Sequence, residues 1–225
     1  MKKFLFLMVA LCVLLAGCNG AENADAQAAE ADAASTDAGE VLTGAKIYPL
    51  PDATMDNLSD AILSVSLEEG DAYVDDTGIM RMDLKIYTYD KYDMVDISML
   101  KVGDVLVTNG GEVQVSSLER DANGSLVING GLEAGGISLG TDESGIFYEQ
   151  GFNDVKSWYE VGEATIRVSA DFMGYDNADL EKGELLIYPG DFLTDAVTDY
   201  NFTPYNTTIR VEDGQIVEMH RSYTP

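Results

Sequence analysis

From residue 41 onward, apolar and polar positions alternate with a period of two. Met80, Met82, Leu84 and Ile86 occupy every second position, with Arg81, Asp83 and Lys85 between them. Successive side chains of an extended chain point to opposite faces, so this run predicts a strand with one face in a core and the other in water. Residues 61–67 alternate over part of their length. Further strands are predicted at 93–98, 104–108, 112–119, 125–129, 145–150, 162–170, 183–188, 206–212 and 215–222. Turn-forming clusters separate these runs, among them Asp75-Asp76-Thr77-Gly78, Asn109-Gly110-Gly111, Asn123-Gly124, Asn129-Gly130-Gly131 and Asp213-Gly214.

The clearest hairpin spans 207–222. A strict two-residue loop would set Val211 against Ile216 but Ile209 against Glu218. A loop of Asp213-Gly214-Gln215 instead pairs Val211 with Val217 and Ile209 with Met219. The second register keeps one face apolar and is preferred. Residues 52–61 and 191–200 each open on an Asp that can cap a helical turn, but no segment sustains a 3.6-residue period over three turns. Short strands without intervening helices predict an all-β fold, an antiparallel sandwich or partly open barrel with short helical turns.

The first 40 residues follow a different logic. Lys2 and Lys3 precede an apolar run at 4–15, which ends in Leu15-Ala16-Gly17-Cys18. A positive start, a short apolar stretch and a small-residue cleavage site make a secretory signal rather than a membrane span. The tetrad resembles the lipobox of bacterial lipoprotein precursors. That resemblance implies that the Cys18 thiol carries a diacylglycerol, that residues 1–17 are removed, and that the protein sits on the extracytoplasmic face of the cell membrane. Residues 18–40 hold no Leu, Ile, Val or aromatic residue. They cannot bury enough apolar surface to offset ordering, so they read as an acidic, Ala-rich tether with a reach of about 25 Å. Residues 41–225 then form one β-rich domain, with 140–145 as the place where it would divide.

Charge and cysteine content narrow the function. The chain has 40 acidic and 13 basic residues, a net charge of −27, and losing Lys2 and Lys3 with the leader takes it to −29. Nucleic acid is excluded as a partner, because phosphates demand clustered Lys and Arg. An electrostatic hold on an anionic membrane is excluded for the same reason, so membrane contact falls to the lipid on Cys18. Cys12 leaves with the leader, and the folded part has no thiol for a disulfide, a nucleophile or a metal. His220, the one histidine, rules out a multi-histidine zinc site and is read as a strand surface residue.

Four motifs remain. Leu100-Lys101-Val102-Gly103-Asp104 looks like a tight corner opening a barrel strand, with Asp104 bonding nearby backbone. Gly130-Gly131-Leu132-Glu133-Ala134-Gly135-Gly136 lacks the spacing and the following helix of a nucleotide loop, and reads as a hairpin with a bulge. Calcium is the one cofactor the composition suggests, since it takes six to eight oxygens. Its candidate ligands are Asp71, Asp75 and Asp76 in one loop and Asp90, Asp93 and Asp96 spaced three apart. Neither group has EF-hand spacing, and solvated loops are the competing reading. Tyr87, Tyr89, Tyr148, Trp158 and Tyr159 are the candidate ligand-binding residues, because aromatic faces on a sheet can stack sugars or grip peptide. Together these features predict a non-enzymatic, membrane-anchored module that binds a protein or glycan outside the cell. The alternative is a carboxylate enzyme such as a glycoside hydrolase, which needs two facing acids about 5–10 Å apart in a cleft.

Overall fold

The structure is a computed structural model, and it describes residues 44–51 and 55–224. Cys18, the leader and the tether lie outside the described residues. Contacts divide the chain between Glu40 and Val41, where the composition changes. The fold is all-β.

Five strands close into a barrel. They are β2 (Ala61–Ser66), β4 (Met80–Tyr89), β12 (Trp158–Asn177), β14 (Thr207–Glu212) and β15 (Gln215–Ser222). β12 makes the closure. Its first half pairs antiparallel with β4 from Trp158 to Arg167, and its second half pairs parallel with β15 from Arg167 to Asn177. β15 then pairs with β14, β14 with β2, and β2 with β4. Numbered in chain order, the ring runs 1-2-3-5-4-1, a five-stranded Greek-key barrel. Register shifts at Glu160/Gly162 and at Val168/Met173 bend β12 so that it can serve both neighbours. β3 (Ala72–Val74) extends the sheet beyond β4, and β13 (Leu185–Ile187) extends it beyond β12.

Alternation explains the barrel core. Met82, Leu84 and Ile86 of β4 point inward with Leu63 and Val65 of β2, Ile209 and Val211 of β14, and Ile216 and Met219 of β15. The last hairpin departs from the preferred register at its turn, where Glu212 pairs with Gln215 across a two-residue Asp213-Gly214 loop and Val211 does not meet Val217. Near the Asp213-Gly214 turn, Val211 faces Ile216; beyond a bulge between Arg210 and Val211, Ile209 faces Met219. The bulge absorbs one residue of β15, so all four apolar side chains stay buried.

A second core is built from the segment between β4 and β12, joined by β1 from the start of the described chain. One sheet holds β1 (Lys46–Ile47), β6 (Val105–Thr108) and β7 (Gly111–Gln114). The other holds β5 (Lys91–Tyr92), β8 (Leu118–Arg120), β9 (Leu126–Ile128), β10 (Ile137–Thr141) and β11 (Phe147–Glu149). Between them they bury a cluster that includes Tyr92, Leu106, Ile128, Leu139 and Phe147. The two pairings β1–β6 and β12–β15 are parallel and the other named pairings are antiparallel. Residues 140–145 run from β10 into the turn before β11, inside this second core. The chain passes between the cores at about 90 and 157.

Two local readings change. Residues 93–98, expected as a strand, form most of the helix α1 (Met94–Met99). Asp93 caps it by accepting the Val95 N–H at 2.7 Å, and Ile97 and Leu100 turn inward at helical spacing. The helical turn expected within 191–200 starts earlier, as a 3-10 turn at Pro189–Leu193 in which Asp191 is the third residue and Tyr188 the N-cap. The Gly103-Asp104 corner forms as read: Gly103 has φ +98, and Asp104 accepts the backbone N–H groups of Lys101 and Ala45, each at 3.0 Å. The glycine-rich stretch joins β9 to β10 in a hairpin through a 3-10 turn at Leu132–Ala134.

Candidate functional site

Inward residues of β4 alternate with a row of outward ones, and that outer row carries the candidate site. Tyr87 and Tyr89 stand on the barrel's outer wall. Trp158 is directly across from Tyr89 on β12, and Ser64 is across from Tyr87 on β2. Thr208 of β14 continues the row beyond Ser64. The Tyr89 and Trp158 rings meet edge to face at 4.7 Å between centroids, and Tyr148 from β11 meets Tyr89 the same way at 6.3 Å.

These rings surround a lysine. Lys156 stands just before β12, where its bridge to Gln150 ties the barrel to the inserted sheets. Its ammonium lies 4.4 Å from the Tyr89 ring centroid, 5.7 Å from Tyr148 and 6.0 Å from Trp158, and it donates to the Tyr89 hydroxyl at 3.0 Å. The ammonium of Lys91, a residue opposite Tyr148 in the register, lies 5.2 Å from the centroid of the same Tyr89 ring. Cation–ring contacts of this kind hold an ammonium in place without neutralising it.

The wall and the 204–206 loop enclose a cleft of about 360 Å³. Tyr205 forms its far lip at 53% exposure, set by its buried neighbour Asn206. The Asn206 side chain accepts from Thr203 N at 2.9 Å and donates to the Asn201 carbonyl at 2.9 Å, which fixes the loop. Tyr87, Tyr89, Trp158, Lys91 and Lys156 line the opposite side. Among the described residues, no acidic side chain lines this cleft. Three other clefts each carry acids, among them Asp83 and Glu163 in one, Asp179 and Glu181 in another, and Asp60 and Glu212 in a third.

The aromatic candidates therefore divide. Tyr87, Tyr89 and Trp158 share the cleft, Tyr148 braces it from behind, and Tyr159 turns away to donate to Asp90 at 3.0 Å. Period-two spacing relates Tyr87 to Tyr89, while Trp158 reaches their face through the pairing of β12 with β4. Lys91, Lys156 and Tyr205 gave no such signal, because they come from separate loops and strand ends.

Most of the calcium candidates are engaged in turns. Asp75 accepts from Thr77, from Ile79 N and from Arg81 Nε, the last at 2.6 Å, and these bonds hold its carboxyl well below the usual aspartate range. Asp71 accepts from Glu68 N at 2.6 Å, Asp93 caps α1, and Asp96 lies on that helix. Asp76 stands exposed at the hairpin turn. Asp90 is buried, with its two oxygens taking Asn109 N and Tyr159 Oη. Among the described residues, no three acids converge to hold a metal.

One acid, Glu149, sits beside buried Asp90. Glu149 lies across from Asp90, its N–H bonding the Asp90 carbonyl at 3.1 Å. Burial, and then the charge of Asp90, pushes the Glu149 carboxyl up; burial and the same aspartate also push up the Tyr92 phenol. Asp90 is buried and Glu149 half-buried, and neither lines the Tyr89–Trp158 cleft. No helix among the described residues is long and apolar enough to cross a membrane. No family model, curated protein or solved structure matches this chain.

Proposed function

We propose that this protein is a lipid-anchored, extracytoplasmic binding module whose barrel wall holds a glycan in the Tyr89–Trp158–Tyr205 cleft. The observation that carries this reading is the cleft itself, where flat aromatic faces meet hydroxyl and amide groups. Trp158 and the tyrosines supply stacking area at low entropy cost, and Ser64, Thr208 and the two lysines supply polar contacts. An extended peptide is less well served. The wall strands β2, β4 and β14 are each paired on both sides, so they offer no free backbone edge for an added strand. Five-stranded Greek-key barrels bind oligosaccharides over the face of their second and third strands, which here are β4 and β12. That is an analogy at the level of fold. The anchor on Cys18 and the tether at 18–40 would place the cleft clear of the lipid headgroups, with the membrane as the first partner.

Trp158 is the single tryptophan of the chain, so its emission reports on this cleft alone. A panel of defined oligosaccharides and peptides is titrated while emission is followed, and the same mixtures are chromatographed. The expected result is a saturable shift with at least one oligosaccharide, lost in Tyr205→Ala, with no cleaved product. Cleavage of the bound sugar would favour the carboxylate enzyme, and a shift from peptides alone would overturn the glycan. For the anchor, Cys18→Ala should leave the membrane fraction; a variant as tightly membrane-bound as wild type refutes lipidation.

A further inference from the structure

Resting on the glycan reading, we infer that the ligand is an acidic sugar whose carboxylate is read by Lys156. The first support is charge segregation. Acids outnumber bases by 40 to 13, yet the described lining of this cleft contains two lysines and no acid. A neutral sugar gives no physical reason for that exclusion. A carboxylated one does, because any acid in the lining would repel it at short range through a poorly screened path.

The second support is how Lys156 is held. A free lysine side chain loses much rotamer entropy when it fixes on a ligand. Here three rings and the Tyr89 hydroxyl already position the ammonium. The ammonium has three donors, and its bond to Tyr89 Oη uses one of them. Nearby Asp142 feels the charge of Lys156, which helps to lower its carboxyl, but it lies outside the cleft lining. The lysine is thus a pre-positioned donor at the mouth of an aromatic cleft, which lowers the cost of binding.

The third support separates carboxylate from phosphate. Phosphate sites draw on helix N-termini or on the arginine fork. Neither an arginine nor a helix lines this cleft. A single-charged carboxylate beside a stacked sugar ring matches a compact ammonium held against Tyr89 and Trp158.

The test uses the full-length protein in detergent micelles, with Trp158 emission as the readout. Three probes are compared: a trigalacturonate, the same trisaccharide with its carboxylates methyl-esterified, and an oligoglutamate of matching charge. Trigalacturonate should bind, and esterification should weaken binding by about tenfold or more, the loss of a charge-assisted hydrogen bond. Lys156→Met should weaken trigalacturonate to a similar degree while leaving the ester unaffected, and Lys156→Arg should restore much of the loss. Should Lys156→Met melt at a much lower temperature than wild type, Tyr205→Ala, which removes an exposed side chain, serves as the second variant and should weaken both sugars. Equal affinity for acid and ester overturns the carboxylate reading and leaves the glycan cleft standing. Binding of oligoglutamate alone overturns the sugar. Silence from all three probes removes both readings.

Discussion

Arg221 holds one end of the barrel together, and its removal has a magnitude that can be worked through. The side chain is 5% exposed and faces Asp176, 8% exposed. Arg221 Nε donates to Asp176 Oδ1 at 2.9 Å and Nη2 to Oδ2, while Nη1 donates to the Asp199 carbonyl at 2.7 Å. The guanidinium lies 4.5 Å from the Phe202 ring centroid. Burial alone would push the Asp176 carboxyl up; the Arg221 hydrogen bonds, the Ala178 N–H and the Arg221 charge bring it below the ordinary aspartate value. Arg221→Met keeps most of the stem and removes all of these contacts. An uncompensated buried carboxylate costs about 3–5 kcal/mol. At about 2–4 °C per kcal/mol for a chain of this size, the melting temperature should fall by about 6–20 °C. Adding Asp176→Leu removes the stranded charge and should recover most of the loss, since apolar replacement of a buried pair is near neutral. The pH dependence is a second readout. In wild type the folded Asp176 value lies below the unfolded one, about 3.9, so its contribution is complete above that pH and disappears as pH falls through the folded value. In Arg221→Met burial is opposed only by the Ala178 N–H and the charge of Lys182, the folded value rises, and the penalty lifts as pH falls. The gap between the two proteins should therefore narrow in acid. Thermal and urea unfolding followed by far-UV circular dichroism measures it. A loss below about 1 kcal/mol, the scale of an exposed pair, or a gap that widens in acid refutes the reasoning.

Glu149 should behave in the opposite sense. Its carboxyl is raised by burial and by Asp90, so it subtracts stability above its folded value and ceases to do so as pH falls below the unfolded value, about 4.3. Glu149→Gln should raise the melting temperature at pH 8 and leave it unchanged near pH 4; an equal gain at both would sink this account. For the acidic loops, calcium and magnesium at equal concentration should raise the melting temperature equally, by screening alone. A calcium-specific rise that Asp75→Asn abolishes would assign a metal to the hairpin that Asp75 now shares with Arg81.

What the sequence made legible was whatever depends on near neighbours. β15 begins and ends at the expected residues, because alternation and the Asp213-Gly214 turn define it locally. β12 is a different case. Its expected core, 162–170, is less than half of a 20-residue strand, and its ends exist only because Tyr89 and Ser222, far apart in the chain, pair with Trp158 and Asn177. β10 escaped notice because Gly140 interrupts its five residues. That glycine fits a tertiary contact: a Cβ there would stand 2.8 Å from the Gln150 amide and 2.9 Å from the Tyr148 ring. The same division holds for the cleft. Tyr87 and Tyr89 share a face by local spacing, while Trp158, Lys156 and Tyr205 join them only through tertiary pairing.

The position of the inserted core accounts for why the lysines are there at all. The chain leaves the barrel after Tyr89 and returns at Trp158, the two residues that face each other across β4 and β12. Lys91 and Lys156 lie just beyond those two crossing points, one on each arm of the insertion. The β5–β11 pairing and the Gln150–Lys156 bridge draw the arms together, and that brings both ammonium groups to the same tyrosine ring. The barrel alone supplies the aromatic wall, and the insertion supplies its charge. Loosening the second core without touching the barrel, as Leu139→Ala would by emptying a buried site at a cost of about 2–5 kcal/mol, should then weaken recognition of the acid more than stacking of the sugar. A construction of this kind ties selectivity to the insertion and affinity to the wall.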